Sequence, residues 1–241
     1  MAYGNGNNVS AVSNTSGTYA FAPGLGEIVL YAYNLCGFRP TSLLQEHMEA
    51  ARMASNMMLG RWSSQGVNLW TVDLQTIPLV QGCSTYSVPS NTIVMLDAYI
   101  VQNGGGALID RLILPISRTE YASYPNKKQQ GFPTTFWFDR LLSPTVTLWP
   151  VPDGTQSAFK YYRVRQIQDS NFDNGQQVEI PYYFLEAFAY GLAQRLAMIW
   201  APEKVSILKP LADESYDIAA RQNVETAQQY ISPTIASYFR P

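Results

Sequence analysis

The sequence predicts an α+β protein: a helical body formed from N- and C-terminal helices, an inserted antiparallel β domain of the sandwich or barrel-like kind, and extended terminal arms. Three observations predict it. Apolar residues recur at helical spacing over residues 42–65 and again over 181–200, near opposite ends of the 241-residue chain. Between them, residues 69–180 divide into short runs rich in Val, Ile, Thr, Tyr and Phe, broken by Pro or Gly about every ten residues. Both termini are almost free of charge. The expected partition is residues 1–24 as an N-terminal arm, 25–68 plus 181–228 as the helical domain, 69–180 as the β insertion, and 229–241 as a C-terminal docking arm.

Residues 1–24 are crowded with Gly, Asn, Ser and Thr and cannot bury enough apolar area to order themselves. Tyr19 and Phe21 either dock on a neighbour or belong to a frayed end. A short helix over residues 26–35 stops at Gly37, and Pro40 and Thr41 lead into the next. In that second helix Leu44, Met48, Ala51, Met58 and Trp62 fall on one stripe, widened by Leu43, Ala54 and Met57, and Gly66 closes it. A Met-rich stripe at this spacing reads as core.

In the β region, residues 92–101 and 107–114 flank Asn103-Gly104-Gly105-Gly106, whose glycines allow the positive φ of a hairpin turn. With no Lys-Ser or Lys-Thr behind it, this run is not a phosphate loop. One helical turn is expected over 117–124, and strands over 134–138, 146–149 and 158–164. Helical periodicity returns at Pro181, a residue suited to a helix's first position. Leu185, Phe188, Leu192, Leu196 and Ile199 form its stripe, with Phe184, Ala187, Met198 and Trp200 covering much of the rest, so this helix must be buried on several sides. Pro202 ends it. The last helix opens at Glu203, is kinked at Pro210 and runs toward residue 228, with Asp213, Glu214 and Asp217 facing water and Leu208, Leu211, Tyr216 and Ala219 facing the body.

Composition narrows the function. Charged residues make up 14% of the chain, against roughly 25% in ordinary soluble domains, while aromatics reach 13% with sixteen tyrosines. Interface cores carry this balance, although a Tyr-rich β protein would also show it. A net charge of -2 argues against tight nucleic-acid binding. Cys36 and Cys83 are far apart, and His47 is the single histidine, so no metal site or other cofactor is expected. The first residues lack a basic then apolar leader, which predicts synthesis in the cytoplasm. Residues 181–201, the longest apolar stretch, include Glu186 and Arg195 and do not read as a membrane span.

Few constellations could carry catalysis. His47 lies between Glu46 and Glu49 and reads as a helix-surface residue. Asp97, Asp110, Glu120, Asp139 and Asp153 form no distinctive motif and read as turn and rim carboxylates. Lys160, Arg163 and Arg165 bring positive charge to one strand, with Tyr161, Arg163 and Arg165 on the same face. That face, expected to be solvated, and Lys127-Lys128 are the candidate subunit or DNA-channel contacts. Residues 229–241 hold Tyr230, Ile231, Ile235, Tyr238 and Phe239 with one charge, Arg240. A segment so apolar and so short either frays or, as its better-fitting place, docks in a groove on another chain.

Several dispersed segments resemble one family. Leu59-Gly60-Arg61-Trp62-Ser63-Ser64-Gln65-Gly66 is similar to a helix end in which Trp is followed closely by Gly. Thr85-Tyr86-Ser87-Val88-Pro89, Gly131-Phe132-Pro133-Thr134 and Leu148-Trp149-Pro150-Val151-Pro152 look like its strand and turn signatures. Leu192-Ala193-Gln194-Arg195-Leu196 leading to Ala201-Pro202-Glu203 looks like its penultimate helix and Pro break. Over residues 25–228 the order of elements resembles the head-to-tail adaptors of short-tailed bacteriophages, also called the tail tubular or packaged-DNA-stabilisation family.

The resemblance implies a virion structural protein at the head-tail junction. It implies a homo-oligomeric ring, a dodecamer, bound beneath the portal, with tail nozzle or tail fibre proteins attached below and weak, non-specific contact with double-stranded DNA in the lumen. Two other classes stand beside it. One is a β-rich glycan-binding or tail-fibre-attachment module in which Trp137, Trp149 and Tyr161 stack on sugar rings; the other is a hydrolase working with carboxylates alone.

Overall fold

A computed structural model describes residues 18–19, 21–66, 68–104, 107–172 and 175–224. The α+β class holds: helices from both ends of the chain surround one hydrophobic core, and the intervening strands surround another.

Helix α1 (Leu25–Leu35) begins where the Glu27 carboxylate accepts the Gly24 N–H at 3.0 Å. It ends as expected at Gly37, whose φ of +91° is open to glycine at no steric cost. After a single 3₁₀ turn, Pro40–Ser42, helix α2 (Gln45–Ser64) buries Ala51, Ala54, Met58, Leu59 and Trp62. Two members of the expected stripe lie outside this face, Leu44 at 61% exposure and Met57 at 65%. Leu44 is in extended backbone just before the helix. Met57 is rotated roughly a third of a turn from the middle of the buried stripe.

Helix α4 (Leu185–Trp200) is the centre of the helical body and touches α1, α2 and α5 (Val205–Gln222). Its buried residues are mostly small, with Ala187, Ala189, Gly191, Ala193 and Ala197 among them, which lets three helices approach one. A Cβ on Gly191 would come within 2.7 Å of the Met58 sulfur. Ile199 and Met198, expected in or near the buried stripe, are exposed. Helix α1 ends level with Ala193, whose carbonyl accepts the Cys36 thiol at 3.3 Å, and so stops short of the last turn of α4. Helix α5 carries Pro210 inside it and buries Leu208, Ala212, Ser215 and Ala219, while Leu211 is exposed. Residues 225–228, expected in this helix, and the arms over 1–17 and 229–241 lie outside the described residues.

The strands are β1 (Val72–Pro78), β2 (Thr85–Ser87), β3 (Thr92–Gly104), β4 (Ala107–Pro115), β5 (Gln130–Gly131), β6 (Thr135–Asp139), β7 (Thr145–Trp149), β8 (Val151–Pro152) and β9 (Gln156–Arg165), with a short helix α3 (Arg118–Ser123) after β4. Seven form a mixed sheet in the order β1-β9-β3-β4-β6-β7-β2. The expected hairpin is present, with Gly104 opposite Ala107. Most pairs are antiparallel, but β4 and β6 run parallel through Leu114–Thr135 and Pro115–Phe136. The chain between them includes α3, and such a crossover is what parallel neighbours require. Three register shifts between β3 and β9 bend the sheet. It curls so that Ile100, Ile113, Phe136, Leu148, Phe159 and Tyr161 share one interior.

The return segment of residues 166–180 ties the sheet to the helices. Asn56 donates to the Ser170 carbonyl at 2.9 Å and accepts the Ser170 N–H at 2.7 Å, Ser63 Oγ accepts the Ile167 N–H at 3.2 Å, and the Trp70 indole donates to the Glu179 carbonyl at 3.1 Å.

Candidate interaction surfaces

The basic candidates separate sharply. Arg163, expected on a solvated face, is 5% exposed. Its guanidinium meets the Asp73 carboxylate through Nε at 2.7 Å and Nη2 at 3.1 Å, and its Nη1 donates to Asn91 Oδ1 and Thr92 Oγ1, both at 2.8 Å. The cause is register: Asp73 on β1 stands directly opposite Arg163 on β9. Arg165 is gripped in the same way by Glu179, through Nη1 at 2.9 Å and through a short contact from Nη2, and Gln168 N–H reinforces that carboxylate at 2.9 Å. The Arg163 hydrogen bonds hold the Asp73 carboxyl below its ordinary range, and Arg165 does the same for Glu179.

Lys127 donates to the carbonyls of Ala122 and Tyr124, both at 3.0 Å, where the last carbonyls of α3 need donors. Lys128 is exposed. Lys160 projects from the opposite face of β9 and pairs with Asp110 on β4 at 3.2 Å. Tyr230, Ile231, Ile235, Tyr238, Phe239 and Arg240 lie outside the described residues.

His47 is a correction. It is buried, not on the helix surface, and its ring stacks on Trp200 with centroids 4.4 Å apart while Tyr33 and Phe38 approach it from other sides. Nδ1 accepts the Leu44 N–H at 3.1 Å, so the imidazole caps the first turn of α2, and Tyr33 OH donates to the His47 carbonyl. Burial pushes the Tyr33 hydroxyl up to about 12 and the neighbouring Cys36 thiol up to about 11. The one histidine thus holds a helix entry.

Of the three rings of the glycan-stacking class, Trp137 and Trp149 share one face of the sheet. Tyr161 is fully buried. Trp137 stacks on Tyr121 and Trp149 on Tyr124, with centroids 5.5 and 4.1 Å apart, and Tyr121 meets Tyr124 at 6.3 Å, so these four rings form one cluster from which Tyr161 is absent. Asp110 is paired with Lys160, and Asp153 accepts the Thr155 N–H at 3.0 Å and hydroxyl at 2.7 Å as a turn residue does. Among the described residues no group of three His, Cys, Asp or Glu side chains could hold a metal ion, and no helix is long and apolar enough to cross a membrane.

What the fold leaves open is apolar surface. On the outer face of the sheet, cross-strand pairing aligns Leu112 with Tyr99, and Tyr162 with Leu74. Leu74, Leu108, Leu112, Leu114 and Tyr162 are all exposed. Among the described residues, 107–113 of β4 pair with β3 on one side only, because β6 reaches no further than Leu114 and Pro115. A second opening is a groove of about 530 Å³ between α1 and the start of α4. Phe21, Ile28, Tyr31, Tyr182, Leu185 and Ala189 line it, and Glu27 and Glu186 are the charged residues along its walls. Sequence reading missed both features. The exposed Leu108 and Leu112 look like any strand alternation until the missing neighbour of β4 is known.

Two open apolar surfaces suit the molecule to contact with other proteins. The sequence profile of the SU10 adaptor proteins matches residues 44–233. The chain belongs to that family. No curated protein matches it. The expected phage adaptor family is therefore the one shown, and this SU10 adaptor is a structural adaptor protein of a bacteriophage and a component of the virion. The matched region runs from the entry of α2 through the whole sheet and both C-terminal helices, and leaves α1 ahead of it.

Proposed function

We propose that this SU10 adaptor forms a closed homo-oligomeric ring, a dodecamer, beneath the portal at the head-tail junction. There it helps to retain packaged DNA and offers the platform on which tail nozzle or tail fibre proteins attach. The family match over α2, the sheet and the C-terminal helices carries this reading. Ring closure needs heterologous contacts, in which one surface of a subunit meets a different surface of the next, and the outer sheet face and the α1–α4 groove are two such separate surfaces. The division into a helical domain (25–68 plus 181–228) and an insertion (69–180) gives such a ring two tiers. Residues 229–241 act as the docking arm, with Tyr230, Ile231, Ile235, Tyr238, Phe239 and Arg240 contacting the portal or the neighbouring subunit. The role is structural, without bond making or breaking. Lys127 and Lys128 supply weak, non-specific contact with DNA, because strong phosphate attraction would hold a genome that must leave.

Electron microscopy of the purified chain mixed with its portal tests this: a ring on the portal vertex is expected. Removal of residues 229–241 should weaken that binding while the circular dichroism of the fold is unchanged. A chain that ignores the portal at every ratio tested would overturn the proposal.

A further inference from the structure

We propose that the α1–α4 groove receives residues 229–241 of a second copy of this chain, so that each subunit inserts its C-terminal segment into its neighbour. Three observations carry it. The groove is apolar and aromatic, lined by Phe21, Ile28, Tyr31, Tyr182, Leu185 and Ala189, and it has room for several side chains at about 530 Å³. The segment offers matching chemistry, with Tyr230, Ile231, Ile235, Tyr238 and Phe239 in thirteen residues.

Charge is complementary as well. The groove's ionised residues are the carboxylates Glu27 and Glu186, and the segment's one charged side chain is Arg240. Of the two carboxylates, Glu27 already accepts the Gly24 N–H, whereas Glu186 is exposed and stands as the partner for a guanidinium.

Reach is the third observation. Asn223, the first residue past the end of α5, accepts the Leu69 N–H at 3.1 Å. Trp70, beside Leu69, packs on Phe184, which precedes Leu185 at the groove. The end of α5 therefore lies at the groove's end of α4. Residues 225–241 can extend at about 3.3–3.6 Å each, enough to cross to an adjacent molecule. Donor and acceptor surfaces lie on different parts of one chain, which makes the contact heterologous and suited to a ring.

The inference rests on the adaptor reading only in taking residues 229–241 as a docking segment. It is tested by charge reversal in the full chain. Glu186→Arg, on an exposed position, should weaken self-association about tenfold or more, and Arg240→Glu added to it should restore association. Sedimentation measures both. A second measurement fixes the location: one preparation carrying Tyr182→Cys and another carrying Tyr238→Cys are mixed and oxidised. A disulfide between chains is expected on a non-reducing gel. An intrachain disulfide when both cysteines are on one chain, with none between chains, would overturn the inference, as would association unchanged by Glu186→Arg. A ring that still forms on the portal without the cross-link removes this inference and leaves the adaptor reading standing; failure to bind the portal does the reverse.

Discussion

Arg163 contributes to the protein through where its charge is held. It projects inward from β9 beside Tyr161 and Phe159, and Asp73, Asn91 and Thr92 satisfy it. Replacing Arg163 by Met should cost about 2–4 kcal/mol, the lower end of the range because Asp73 retains some solvent. The pH dependence has a definite sign. The folded Asp73 carboxyl titrates below its unfolded value, so the pair's stabilisation is present above the ordinary carboxylate range, about 4, and is lost as pH falls through the folded value. Urea titrations of wild type and Arg163→Met should therefore differ most at neutral pH and converge in acid. Alternation placed Tyr161, Arg163 and Arg165 on one face, but that face was expected to be solvated; nor was the partner legible, because Asp73 is ninety residues away and only strand order brings it opposite. His47 teaches the same lesson. Its neighbours Glu46 and Glu49 suggested solvent, yet Trp200, Tyr33 and Phe38 enclose it. His47→Ala should cost about 2–4 kcal/mol through the lost helix cap and the cavity between those rings, as measured by thermal unfolding followed at the α-helical signal.

Among elements, α4 sets the spacing of the helical body. Its run of Ala and Gly lets α1, α2 and α5 close on it, and Gly191 meets Met58 at a distance where an added carbon has no room. Gly191→Val should destabilise by about 1–3 kcal/mol through overpacking, read as a lower urea midpoint with an unchanged slope. The helices were legible because their caps and breakers are local: Gly37 stops α1, and Pro202 stands just beyond α4. The hairpin of β3 and β4 was legible for the same reason. The parallel meeting of β4 and β6 was not, since nothing near Leu114 or Thr135 records which strand lies alongside. Exposure at the ends of elements, as for Leu44 and Ile199, depends on where the neighbouring helix stops.

For the whole molecule, the placement of charge bears on how strongly the proposed contact with DNA can hold. Arg163 and Arg165 are engaged by Asp73 and Glu179, and Lys160 by Asp110, so the basic side chains of β9 add little positive field for a phosphate backbone. Purified chain should bind duplex DNA weakly, with a shallow dependence on salt, in a titration of fluorescently labelled DNA. Lys128→Glu should weaken that binding without lowering stability, whereas changes at Arg163 should lower stability and leave the salt slope alone.

The one-sided pairing of β4 has a cost for any copy that has yet to find its place. A strand edge bordered by Leu108 and Leu112 is an invitation to irregular stacking between molecules, because backbone donors and acceptors there can be answered by any passing extended peptide. Chains made faster than virions take them up should therefore tend to precipitate, so the usable amount of this polypeptide depends on how closely its synthesis matches particle assembly.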